Sequence, residues 1–136
     1  MAGIDPTTPF RALDIAVLTV SDTRTLAEDR SGDALVERLE RAGHRLAARD
    51  LVRDDVERIV ARLEAWIADP SVHVVITTGG TGVTGRDVTP EAFARVSGKT
   101  IPGFGELFRM LSYEKIGTSA LQSRATAAVA RGTYLF

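Results

Sequence analysis

The chain has 136 residues, 44% of them hydrophobic, which suits one domain with a packed core. Its 17 basic and 18 acidic residues leave a formal net charge of -1, which argues against nucleic acid or an anionic membrane surface as a partner. With no cysteine, disulfides, thiolate metal ligands and a cysteine nucleophile are excluded together, and His44 and His73 lie too far apart for a paired zinc motif.

Residues 1–12 are punctuated by Pro6 and Pro9 and read as a flexible tail ahead of a single domain over 13–136. The apolar run Ile15–Val20, flanked by Asp14 and Asp22, is too short to span a bilayer, so a soluble cytoplasmic protein is expected. The run reads as a strand buried on both faces, as a parallel sheet requires. Leu35, Leu39 and Ala42 recur at helical spacing over 31–42, and Gly43 stands where that helix would stop. A second strand follows over 44–52. Asp54-Asp55-Val56-Glu57 then opens a helix, with Asp54 able to cap it and Glu57 to reach back. Its stripe of Val56, Ile59, Val60, Leu63 and Ile67 ends at Asp69-Pro70, and Trp66 reads as packing on the same side. The β-branched run 72–77 is a third strand.

Thr89-Pro90-Glu91 predicts the next helix start, with Thr89 as cap and Pro90 at the first helical position, and Gly98 its end. The stretch Ile101–Gly105 reads as a loop, 106–111 and about 119–130 as helices, and Gly132–Phe136 as the beginning of one more strand. Strands alternating with helices imply an α/β three-layer sandwich, with a mostly parallel central sheet and helices on both faces.

The chemistry concentrates in Thr77–Glu91. This loop leaves a buried strand at its carboxyl end, where open α/β sheets bind ligands. Gly79, Gly80 and Gly82 let the backbone turn and a ligand approach closely, and their amides with the Thr78 and Thr81 hydroxyls suit phosphate oxygens. Arg86 offers a fork to phosphate, Asp87 a carboxylate for magnesium or a polar group, and the helix start at Thr89 a positive dipole end. The bland reading is a plain strand-to-helix turn, but such a connection of ~2–6 residues needs neither Arg-Asp nor Thr-Pro-Glu. Residues 80–85 also match G-x-G-x-x-G, the mark of an NAD(P)-dependent oxidoreductase. That fingerprint opens a helix directly, whereas here the helix waits until Thr89, so the reading is a remote alternative. A P-loop lacks its Gly-Lys-Ser/Thr.

Thr78–Gly82 followed by Arg86–Glu91 resembles the MogA/MoaB family of molybdenum-cofactor biosynthesis proteins. So do Val20-Ser21-Asp22, Asp29–Gly32, Ile101–Ser112 and Ile116–Ala125, and the longer Phe-Gly-Glu-Leu-Phe-Arg-Met-Leu-Ser motif is closest to the MoaB branch. The resemblance implies magnesium-dependent transfer of AMP from ATP to the terminal phosphate of molybdopterin, releasing pyrophosphate, in a homo-oligomer (trimer or hexamer). The product then passes to a molybdate-inserting protein. It leaves a second reading open, a MoaB-type protein that binds molybdopterin without turnover.

By motif position the resemblance assigns Asp87 to ligand placement and Asp54, after the second strand, to magnesium; Asp54 read alone is as well a helix cap. Gly79–Gly82 would cradle phosphate and Ser21-Asp22 form a polar wall, unless they are only a turn. Pro102, Gly103 and Glu106 fall in a segment that the resemblance gives a part in shaping the nucleotide pocket, unless Pro102–Gly105 is only a structural connection. Ser112, Ser119, Ser123 and Arg124 contact the pterin or its phosphate, or, for the serines, cap helix ends. Relatives continue past the last strand into a Leu-Pro-Gly-Ser loop and a helix, so the chain is expected to lack that segment.

Overall fold

The computed structural model describes residues 3–136. The expected tail falls partly on residues 1 and 2, outside the described residues. Residues 3–13 contain neither helix nor strand, and the Phe10 ring rests against His44 with centroids 5.2 Å apart.

The elements run β1 (Asp14–Val20), α1 (Arg30–Arg41), β2 (Arg45–Val52), α2 (Val56–Ala68), β3 (Val74–Thr78), α3 (Thr89–Val96), β4 (Lys99–Thr100), α4 (Pro102–Ile116), β5 (Ala128–Ala130) and β6 (Thr133–Leu135). Short 3-10 segments occupy Leu26–Glu28 and Gly117–Gln122. Up to β3 the element bounds differ from the sequence reading by only one or two residues. No helix among the described residues is long and apolar enough to cross a membrane.

The six strands form one sheet in the order β2-β1-β3-β6-β5-β4. β1 lies between β2 and β3, parallel to both, and β3 pairs with β6 in parallel. β5 runs antiparallel to both β4 and β6, so the sheet is mixed at that edge. Alternation along β1 sends Ala16, Leu18 and Val20 to one face and Ile15 and Val17 to the other. The first set packs under α2 and α3 with Ile59, Leu63, Trp66 and Phe93; the second packs with Leu35, Val36 and Leu39 of α1. Trp66 is a core residue, and His44 and His73 each accept a backbone N–H at the foot of β1 through Nδ1.

The sequence reading departs from the fold in four places. Asp55, not Asp54, caps α2, accepting from the Arg58 amide at 2.9 Å. Thr89 is the first residue of α3, and its hydroxyl donates to the Gly79 carbonyl at 2.8 Å instead of capping. Ile101–Gly105 is no loop. Pro102, with φ preset for a first helical turn, starts a 15-residue α4 that absorbs Gly103 and Gly105. The helix expected over 119–130 is a 3-10 turn followed by β5, because Arg131 and Gly132 (φ 47° and 87°) close a tight hairpin and the sheet takes the backbone hydrogen bonds.

Candidate functional site

In the order 2-1-3 the chain leaves β1 toward one neighbour and returns to the other, so the crossovers diverge between β1 and β3. Ligands settle at such a switch point, outside the carboxyl ends of the strands. A hollow of about 330 Å³ opens there, lined by Ser21, Asp22, Asp54, Thr78, Gly79, Gly80 and Asp87 together with Thr19, Val20, Thr23 and Arg24. These expected residues therefore converge from the ends of β1, β2 and β3.

Gly79 and Gly80 fit only as glycine. At Gly79 (φ +99°) a Cβ would collide with the Val20 carbonyl of the neighbouring strand. At Gly80 (φ +69°) it would meet the Thr89 hydroxyl and come within 3.1 Å of the Asp54 carboxylate. Close approach and left-handed backbone together exclude a side chain from this rim.

Three carboxylates surround the hollow in different electrostatic states. Asp22 is bound by the Arg86 guanidinium in a two-pronged pair at 2.8 and 2.9 Å, and it also accepts the Asp54 amide. The Arg86 fork holds its pKa below the usual carboxylate value. Asp87 is lowered by the Thr84 hydroxyl, aided by the Thr84 and Gly82 amides. Asp54 moves the other way: burial raises it, reinforced by the neighbouring Asp22 charge. Among the described residues neither Asp54 nor Asp87 makes an ion pair, but Asp87 accepts from Thr84 whereas the Asp54 carboxylate accepts no hydrogen bond from a side chain.

Other expected residues sit elsewhere. Arg86 stands at the rim with its fork occupied by Asp22. The Thr89 side chain is buried beneath the loop. Thr81 faces a second hollow of about 420 Å³, lined by the rings of Phe93, Phe104, Phe108 and Phe136 and sharing Thr78 and Gly79 with the first. Gly82 turns toward Asp87. Pro102, Gly103, Glu106 and Ser112 lie along α4, and Ser119 in the 3-10 segment; none of them lines either hollow. Ser123 and Arg124 follow, and Arg124 is engaged with loop backbone on the side away from the first hollow.

Sequence reasoning passed over Asp29. It is fully buried and accepts from the Thr19 hydroxyl at 2.5 Å, the Gly32 amide at 3.0 Å and Arg49 at 3.2 Å. Burial by itself would raise its pKa, yet these donors hold it below the usual value. It ties the end of β1 to β2 and the start of α1, directly beneath the site. An aspartate three residues before Gly32 at a helix start was the available signal.

The comparisons with known proteins agree with this fold. Residues 16–136 match the family model described as a probable molybdopterin binding domain. The chain is similar to molybdenum cofactor biosynthesis protein B of Escherichia coli (strain K12), 46% identical over 129 residues, which cover 95% of this chain and 76% of that protein. A crystal structure of a molybdenum cofactor biosynthesis protein B superposes with a TM-score of 0.89 at 44% identity, covering 93% of this chain and 79% of that one. The tungsten cofactor synthesizing protein MoaB from Pyrococcus furiosus gives 0.82 at 34% identity, covering 94% and 82%.

Proposed function

Because this chain belongs to the family of probable molybdopterin-binding domains, in its MoaB branch, we propose that it adenylylates molybdopterin, using ATP and magnesium and releasing pyrophosphate. The observation that carries this reading is the meeting of Asp54, Asp87 and the Gly79–Gly80 backbone around one hollow. The α/β sandwich with a mixed six-stranded sheet supplies the frame.

The chemistry asks little of a general base. The pterin phosphate is already ionised near neutral pH, so its oxygen can attack the α-phosphate of ATP as the bond to the β-phosphate breaks and pyrophosphate departs. Catalysis then rests on alignment and on neutralising charge. Asp87, pinned by Thr84, orients the ligand, and the loop 79–82 lines the phosphate path. The hard oxygen donors of the hollow suit magnesium, which binds proteins through one or two carboxylates and completes its shell with phosphates and water. Asp54 and nucleotide phosphate oxygens would hold it, and when bound it draws negative charge from the α-phosphate. A ligand having both rings and phosphates matches a polar hollow that shares its rim with an aromatic one.

The same reading includes self-association, as a trimer or hexamer. Leu107, Met110, Leu111, Tyr113 and Ile116 of α4 are each more than half exposed. An apolar face of this kind exceeds scattered surface residues and suits burial against another copy.

Incubation with ATP, magnesium and molybdopterin tests the activity. Adenylylated pterin and pyrophosphate are expected, and both should disappear in Asp87→Ala. Pterin binding without product would leave a MoaB-type binding protein instead. Saturable NAD(H) binding with no response to ATP would revive the oxidoreductase reading, against which α3 beginning only at Thr89 already stands.

A further inference from the structure

The glycine loop has few bonds of its own. Between Gly80 and Thr89 the backbone supplies Asp87 N–H to Thr84 O at 3.1 Å and Thr89 N–H to Gly80 O at 3.0 Å. The Asp87 carboxylate adds bonds from the Thr84 amide and hydroxyl at 2.9 and 2.8 Å, and the remaining hydrogen bonds come from outside, largely from one residue. Arg124 donates from Nε to Gly82 O at 2.6 Å and from Nη2 to Asp87 O at 2.7 Å, so a single planar fork clasps both limbs of the loop. Its other donors grip the Glu91 carboxylate in the first turn of α3 at 2.6 and 3.0 Å, and its backbone N–H meets Thr81 O at 2.8 Å.

Arg124 is itself held from behind. Arg109 of α4 donates from Nη1 to Ser123 O and Ala125 O, both at 3.2 Å, bracketing the residue that carries the clasp. α4 also comes close to this backbone: a Cβ on Gly105 would lie 2.6 Å from Ala125 O and 2.7 Å from the Arg109 guanidinium. Arg109 makes no hydrogen bond to residues 81–87 among the described residues. Among the described residues its hydrogen-bonded route to the loop runs through 123–125.

We propose that Arg109 and Arg124 form a two-step positioning relay, in which Arg109 fixes the Ser123–Ala125 backbone to α4 and Arg124 fixes the ligand-binding loop to that backbone. A guanidinium suits the Arg124 step, since Nε and Nη2 of one plane reach two acceptors at set spacing, which a lysine ammonium does less well; Arg109 makes both of its bonds from Nη1 alone. Arg124 is then a positioning residue and not a contact to the pterin. Its loss frees the loop that presents Gly82 and Asp87. The functional meaning rests on the proposed phosphate-binding role of that loop; the mechanical claim does not.

Amide hydrogen exchange without nucleotide tests it, read at Thr84 and Asp87, with the buried Leu63 amide of α2 as control. Arg124→Ala should speed loop exchange at least about tenfold with the control unchanged. Arg109→Ala should speed it too, despite having no hydrogen bond to the loop. The double variant should be no faster than Arg124→Ala, because consecutive links in one chain do not add. Wild-type loop exchange in Arg109→Ala, or effects that multiply, would overturn the relay. Should Arg124→Ala fail to fold, Glu91→Gln takes its place, loosening the clasp without removing it. It should speed loop exchange without multiplying the effect of Arg109→Ala, and multiplication would again count against the relay. A parallel titration with Mg-ATP keeps the two readings apart: absent binding in the wild type sinks the proposed function and leaves the exchange result standing.

Discussion

The two halves of the sheet are built for different tasks. In the β2-β1-β3 half, six of the seven β1 residues are buried and helices cover both faces, so the strand ends hold their positions rigidly. In the other half β4 has two residues, β5 and β6 three each, and α4 buries only Gly105 of its 15. The residues that line the first hollow follow the strands of the first half. The surface free to meet other molecules belongs to the second. Arg109 and Arg124 are one polar connection between them, beside the β3–β6 ladder and the Arg131–Glu64 ion pair.

Truncation across the two halves should separate them most sharply. Leu63→Ala, at a position with 0% exposure, is expected to cost about 2–5 kcal/mol, while Leu111→Ala on α4 stays within about 0.5 kcal/mol for the monomer. Urea unfolding at low protein concentration measures both, and equal costs would erase the distinction. At the site, Asp87→Ala should lower adenylyl transfer by roughly 10²–10³-fold, the scale of losing one aligned polar group. Because Asp87 serves an exposed loop, its melting temperature should barely move.

On the other side, Leu111→Glu should reduce association in sedimentation velocity while leaving the circular dichroism of the subunit intact. Unchanged sedimentation would place the copy contact elsewhere.

The smallest expected effect lies with Asp54. Its folded pKa is raised by burial, so the folded state binds its proton more tightly than the unfolded chain does. The charged form is therefore disfavoured by folding, and stability falls as pH rises above the unfolded value toward the raised folded one. Asp54→Asn removes that penalty. Without magnesium it should melt slightly higher than the wild type at neutral pH, with the gap closing as pH drops below the unfolded carboxylate range, while transfer is lost. A lower melting temperature at neutral pH would contradict the assignment of burial as the cause.

The parallel half was legible because its elements have strong periods and clear stops: the β1 run, the Val56–Ile67 stripe, and glycines after β3. Of the candidate site, Ser21-Asp22, Asp54 and Thr78–Gly80 were legible because each follows a readable strand, whereas Pro102, Gly103, Glu106, Ser112 and Ser119, expected by resemblance, line neither hollow. α4 was missed at its start because Pro102-Gly103-Phe104-Gly105 is a loop by local propensity. There Gly105 serves close packing against Ala125, a contact 20 residues away that local propensity cannot register. β5 was missed because its alanine-rich sequence satisfies a helical period as well as a strand, and only pairing with β4 and β6 chooses.

What sequence alone determined were local matters: the buried strands, the apolar stripes, and glycines where the backbone must turn left-handed. Tertiary structure decided which carboxylate takes which partner. Asp55 caps α2 and leaves Asp54 to the hollow, Arg86 turns to Asp22, and Arg124 clasps the loop. The physical reason is that charge pairing and desolvation depend on distances between elements remote in the chain, which no local pattern encodes.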